Sequence, residues 1–153
     1  MRIRKELMGV FLIINVLGFA SVSKAQDSSE TKKACDFIAA GEVSSILGAT
    51  VQASLIPGGD GCMYMGDQAA SAMIIFSERN SSSEVLKASY QNCLNDGGKP
   101  VQGLDGTAAE KADQRGIAVY FFKNGMMGTV GGNAVQDQPS KVEAIAKLLI
   151  SKL

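Results

Sequence analysis

Histidine and tryptophan are both absent from this chain of 153 residues. Without histidine there is no imidazole general base, no Ser-His-Asp or Cys-His arrangement, and none of the imidazole ligands on which most zinc and copper sites depend. Cysteine is limited to positions 35, 62 and 93, enough for one bridge with one thiol left over. Lysine and arginine form no run longer than a pair, so the electrostatic footprint of a nucleic-acid binder is missing, and with it a patch for anionic lipid. No serine sits in a Gly-x-Ser-x-Gly elbow. The glycine-rich stretches at 57–61 and 128–132 lack the Gly-Lys-Ser/Thr that completes a phosphate loop.

What is present begins with a leader. Arg2, Arg4 and Lys5 precede an apolar stretch from Val10 to Ala20, broken only by Asn15 and Gly18. Ser23-Lys24-Ala25 puts small residues where a signal peptidase reads them. Residues 1–25 therefore read as a secretory signal peptide, cut after Ala25. The apolar stretch is shorter than the about 20 residues of a spanning helix; an uncleaved N-terminal anchor is the alternative. A lipoprotein signal fits less well, because Cys35 follows the charged pair Lys32-Lys33. Cleavage leaves 128 residues, enough for one domain with one core, and no further long apolar segment. It removes four basic residues and one acid, so a balance of 15 against 15 becomes 11 against 14, a net charge of −3. Export to the periplasm or the medium is the expectation, and there disulfides form and persist.

Residues 26–34 form a polar tether, and a single domain follows over 35–153. Residues 40–47 read as a short helix with Val43, Ile46 and Leu47 on one face and Gly48 as its stop. Residues 50–55 alternate, 57–61 turn, and 61–66 and 69–77 are β-rich. Ser81 and Glu84 form a capping box for a second helix, whose apolar stripe is Leu86, Tyr90, Cys93 and Leu94. A strand falls within 101–112. Asn124-Gly125 between the apolar runs 116–123 and 126–132 is a strong hairpin signal. Ser140 and Glu143 form a second box, opening a terminal helix that buries Val142, Ile145, Ala146, Leu149 and Leu153. The order α-βββ-α-βββ-α predicts an α+β fold, an antiparallel sheet with helices on one face, suggestive of a duplicated αβββ unit.

Residues 61–66, Gly-Cys-Met-Tyr-Met-Gly, pose the sharpest choice. In a strand, Cys62 and Tyr64 share one face and Met63 and Met65 the other. Met63 and Met65 could supply two thioethers to Cu(I), with a third from Met73, Met126 or Met127. The plainer reading makes the segment scaffold. A Cys35–Cys62 bridge would pin the first helix onto the sheet, and closing a loop of about 28 residues is worth roughly 3 kcal/mol on the chain-entropy model. Cys93, on its helix stripe, is then a buried free thiol, although spacing alone leaves the pairings 62–93 and 35–93 open.

The segments Cys35-Asp36-Phe37-Ile38, Glu42-Val43, Ile46-Leu47-Gly48, Val51 and Gly61-Cys62-Met63-Tyr64 resemble a family of small exported proteins and lipoproteins of unknown function, best known from actinobacteria. The stretch Val101-x-Gly103-Leu104-x-Gly106-x-Ala108 is similar to that family's second half. The resemblance implies that Cys35 and Cys62 pair. It carries over no catalytic residue. The chain departs from the family in having no lipobox cysteine and in placing Ala39 where a Ser or Thr helix cap is usual.

Two more features bear on function. The carboxylates Asp36, Glu42, Asp60, Asp67, Asp105, Glu110 and Asp113 are the available acid–base groups, and a hydrolase would need two of them facing each other across a groove. In 116–123, Tyr120 and Phe122 fall on the row opposite Ile117, Val119 and Phe121. If helices cover one face, Tyr120 and Phe122 form an exposed strip and a candidate binding surface; the alternative is that both faces are covered. The expectation is an exported, non-enzymatic binding or accessory domain of the cell envelope, needing no cofactor. Its partner would be an envelope protein, a peptide, a glycan or a small apolar ligand. The alternatives are a periplasmic Cu(I) protein using Met63 and Met65, a thiol-redox protein using Cys93, and a carboxylate-only hydrolase.

Overall fold

In a computed structural model of the chain, residues 32–67, 70–113, 116–132 and 138–153 are described. The expected signal peptide and most of the tether lie outside them. From Lys32 the chain makes a 3₁₀ turn, Ala34–Asp36, then helix α1, Ala40–Leu47. Strands β1, Val51–Leu55, β2, Gly61–Gly66, and β3, Ser71–Glu78, follow. Helix α2, Ser83–Asn95, leads to β4, Lys99–Pro100, β5, Ala108–Asp113, β6, Gly116–Lys123, and β7, Met126–Gly131. Helix α3, Gln138–Lys152, closes the fold.

All seven strands join one antiparallel sheet in the order β1-β2-β3-β7-β6-β5-β4. The α+β class is thus the observed one. β4 has no counterpart in the sequence reading, because two residues ending in proline carry no strand pattern; proline is tolerated there since β4 is an edge. The strands fall into two meanders, β1–β2–β3 and β5–β6–β7, laid side by side through β3 and β7. That order is what a duplicated helix-plus-three-strand unit would produce, and the helices break it.

Strand alternation divides the apolar residues into two layers. Cys62 and Tyr64 of β2, Ala72, Ile74 and Phe76 of β3, Val119 and Phe121 of β6, and Val130 of β7 share the first face. α1 and α3 pack on it through Val43, Leu47, Val142, Ile145, Ala146, Leu149 and Ile150. The expectation of helices on one face is corrected by α2. Its Leu86 and Tyr90 pack with Ala109 and Phe122, which point to the second face. An amphipathic stripe requires that a helix be buried, but it does not say under which face of a sheet. Here β6 is apolar on both rows and so asks for cover on both sides.

The helix starts also differ in detail. Ser82, not Ser81, caps α2, its hydroxyl accepting from the Val85 N–H at 3.3 Å. Ser140 lies inside α3, which begins at Gln138, rather than capping it. At α1 the missing hydroxyl cap is made good by Glu42, whose carboxylate accepts from the Ala39 N–H at 2.9 Å. Glu42 also receives Lys152 of α3 at 2.6 Å, and Lys141 of α3 donates to the Leu47 carbonyl at 3.0 Å. Hydrogen bonds from Lys152 and then from the Ala39 N–H hold the Glu42 carboxyl below its ordinary pKa.

Cys35 and Cys62 are bonded, with Cα atoms 5.0 Å apart. The Ala34 N–H donates to the Gly59 carbonyl at 3.1 Å, so the 3₁₀ turn is also tied to the turn that precedes β2. One residue pair on, the buried Tyr64 hydroxyl donates to the Ile38 carbonyl at 2.8 Å. Phe37 stacks against Phe76 at 5.0 Å, and Phe76 meets Phe121 edge-on at 5.3 Å. The Asn124-Gly125 hairpin forms as expected, with φ of 50° and 78°. At the seam of the two meanders, a side chain on Gly128 would collide with the Ile75 carbonyl oxygen and with Phe121, so glycine is required there.

Tyr64→Phe should cost about 1–2 kcal/mol, because the Ile38 carbonyl is left buried without its donor. Burial, helped by the nearby charge of Glu42, pushes the Tyr64 hydroxyl up to about 12 from 10.0. Tyr64 is bound as the neutral phenol, so its stabilisation is complete below the unfolded pKa and is lost as pH rises through the folded one. In urea titrations, the advantage of the native protein over Tyr64→Phe should therefore shrink between pH 10 and about 12. A constant difference across that range would contradict the assignment.

Candidate functional site

Among the described residues, the second face of the sheet is covered at one end only. α2 packs over the end of β6 that carries Phe122, and over Ala109 of β5. Toward the Gly116 end of β6, that face is open. A groove of about 540 Å³ runs there across β2, β3, β7 and β6, and it includes Met63, Met65, Met73, Ala118, Tyr120 and Thr129.

Strand register assembles this wall. Met63 of β2 stands directly opposite Met73 of β3, and Met65 stands opposite Ser71. Met63, Met65 and Met73 therefore share one face, with Met65 diagonal to Met73. On β6, Tyr120 pairs with Thr129 of β7, and Ala118 with Gly131. Met65 is 58% exposed, one of the few large apolar side chains in the described structure that lie open to solvent. Met63 and Met73 are half-buried. Of the three methionines considered as a third ligand, register selects Met73. Met127 packs into the α2 cluster and Met126 against the first-face core.

Cys62 takes no part in the groove. It is buried on the other face and held in the bridge to Cys35. The strand thus separates its sulfurs: disulfide inward, thioethers outward.

Tyr120 and Phe122 fare differently from one another. Phe122 is 7% exposed and meets Tyr90 of α2 edge-on at 5.9 Å, so it is core under α2 and not a surface. Tyr120 is half-buried, packs against the same cluster and lines the groove. The covered-on-both-faces alternative holds for Phe122, and the open strip survives at Tyr120.

Cys93 is the free thiol and is half-buried beside Leu86, Tyr90 and Phe122. Burial raises its pKa; Lys111 opposes that shift and Asp96 adds to it. Lys111 and Asp96 are themselves ion-paired. A thiol held in its protonated form is a weak nucleophile, which counts against a thiol-redox role.

Three of the candidate carboxylates have structural partners. Asp36 accepts from the Lys33 N–H at 2.9 Å, Glu42 caps α1, and Asp60 pairs with Arg79 at 3.1 Å. Arg79 in turn lies over the Phe76 ring at 4.5 Å. Glu110 lines a smaller cleft with Lys99, Asp105 sits in a turn, and Asp67 directly follows β2. The side chain of Asp113 lies outside the description. Among the described residues no carboxylate lines the large groove, which there shows no facing acid pair. Among the described residues no group of three or more Cys, Asp or Glu converges on a point, and no helix is long and apolar enough to cross a membrane.

Comparison with known proteins returns no match: no family model, no curated protein and no solved structure aligns with the chain.

The Cys93 environment yields a measurable rate. At pH 8 the folded protein should react with an aromatic disulfide reagent more slowly than the same protein unfolded in urea, each releasing one equivalent per chain at completion. Equal rates in the two states would contradict the half-buried thiol whose pKa is raised.

Proposed function

We propose that this chain is an exported, non-enzymatic binding domain of the cell envelope, and that the open end of the second sheet face takes a small, largely apolar ligand. The observation that carries the proposal is the groove of about 540 Å³. Its size falls within the range of small-ligand sites, and its composition is of the same kind: apolar walls with a few polar groups. Met63, Met65, Met73 and Ala118 supply the apolar area, and the Tyr120 hydroxyl and Thr129 supply the polar points. Met65, at 58% exposed, lies open at the edge of this groove.

Export is part of the same proposal. It is supported by the leader-like residues 1–25 and by the Cys35–Cys62 bridge, which belongs to an oxidising compartment. The likeness to small exported proteins and lipoproteins, carried by Cys35-Asp36, Glu42-Val43, Leu47-Gly48 and Cys62-x-Tyr64, points the same way.

The test has two arms. Expressed with its leader, the protein should be recovered outside the cytosol with Gln26 as its first residue. The purified mature protein should then raise the fluorescence of an environment-sensitive apolar dye saturably. Tyr120→Glu should remove that signal, and Val85→Glu, on the exposed side of α2, should preserve it, with both variants keeping native far-UV circular dichroism. An uncleaved cytosolic product would overturn the export half. Dye binding indifferent to Tyr120→Glu would overturn the binding half.

A further inference from the structure

The methionines of the groove are not explained by packing. Methionine in a core fills irregular gaps, but Met65 is largely exposed and Met63 and Met73 are only half-covered. Nor are they scattered. All three methionines of the β1–β2–β3 meander fall on one face of two adjacent strands.

We infer that Met63, Met65 and Met73 form a thioether site for a soft monovalent cation, Cu(I). This rests on the reading of the groove as a binding surface and gives one of its walls a ligand of its own. Side chains directly opposite on an antiparallel pair have Cβ atoms roughly 4.5–5.5 Å apart, and diagonal neighbours roughly 7–8 Å. Met63 and Met73 are the direct pair, and Met65 and Met73 the diagonal one. Methionine has three rotatable bonds beyond its Cα, so three sulfurs anchored at these spacings can converge on one ion above the sheet.

The surroundings select the metal. Thioether is a soft ligand and favours Cu(I) over Zn(II), Mg(II) or Ca(II). Among the described residues that line it, the groove has no carboxylate to attract a hard cation and no lysine or arginine to repel a soft one. The chain has no histidine to favour Cu(II), and Cys62 is committed on the opposite face. Tyr120 lines the same groove, and an aromatic ring attracts a cation held over its face.

The test is anaerobic titration of the mature protein, disulfide intact, with Cu(I) in competition with a chromophoric Cu(I) chelator. One equivalent should bind with a dissociation constant tighter than about 1 μM. X-ray absorption should show sulfur ligation with no nitrogen shell. Met63→Leu, Met65→Leu and Met73→Leu conserve volume on an open face and should fold normally. Each should weaken binding by roughly tenfold or more, as loss of a ligand must cost at least what loss of a supporting residue does. The triple substitution should abolish binding, and Met127→Leu, under α2, should leave it unchanged. Binding weaker than about 1 μM, or binding retained by the folded triple variant, overturns the site. If Cu(I) fails while the apolar dye still binds and Tyr120→Glu still removes it, the metal site falls and the binding surface stands.

Discussion

Cys62 and Tyr64 hold the first segment of the domain from one face of one strand. The sulfur of Cys62 is bonded to Cys35, and the Tyr64 hydroxyl donates to the Ile38 carbonyl two residues before α1. Between them they fix the 3₁₀ turn and the entry to α1 against the sheet, with Phe37 seated on Phe76. A covalent tie and a buried hydrogen bond, one pleat apart, leave the segment one place to lie. A domain of this size has a net stability of only about 5–15 kcal/mol, so a loop closure worth roughly 3 kcal/mol is a large share of it. α1 then gives α3 a surface to pack on, and the Glu42–Lys152 pair closes the two helices together.

Because a strand alternates, the commitment of Cys62 and Tyr64 to one face commits Met63 and Met65 to the other. Nothing on β2 can change this without slipping the register, and a slip would expose Tyr64 and break the disulfide. The second face is then divided. α2 takes the half built on Phe122, Ala109 and Met127, where the strands offer apolar residues to cover. The half built on Met63, Met65, Met73 and Ala118 is left open by the described residues. Scaffold and groove are thus two sides of the same six residues.

Much of this architecture is written locally. The Asn124-Gly125 turn, the stripe of α3 and the alternation of 61–66 each depend on neighbours in the chain, and each is readable as such. The bridge of Cys35 to Cys62 is one of the three pairings that spacing alone leaves open. What escapes reading depends on distant partners. The opposition of Met63 and Met73 follows from the β2–β3 register, which the two strand sequences do not state by themselves. The placement of α2 depends on which face the connection from β3 favours, and the burial of Phe122 follows from it. A hint was present: Val119 and Phe121 on one row of β6, and Tyr120 and Phe122 on the other, are both too apolar for a strand with a solvated side. Likewise Ala39 has no side chain to cap α1, and the cap comes instead from Glu42, which Lys152 of the far terminus holds in place.

The claim at the centre of this account is that β2 faces two ways, with its disulfide sealed in the core and its thioethers open to solvent. Brief exposure of the folded, oxidised protein to dilute hydrogen peroxide, followed by peptide mapping, tests it most directly. Met65 should become the sulfoxide first, with Met63 and Met73 following, while the peptides of Cys35 and Cys62 remain joined and Tyr64 stays protected from iodination. If Met65 is oxidised only after the protein unfolds, or if Cys35 and Cys62 are found as separate thiols, the two-faced strand is wrong.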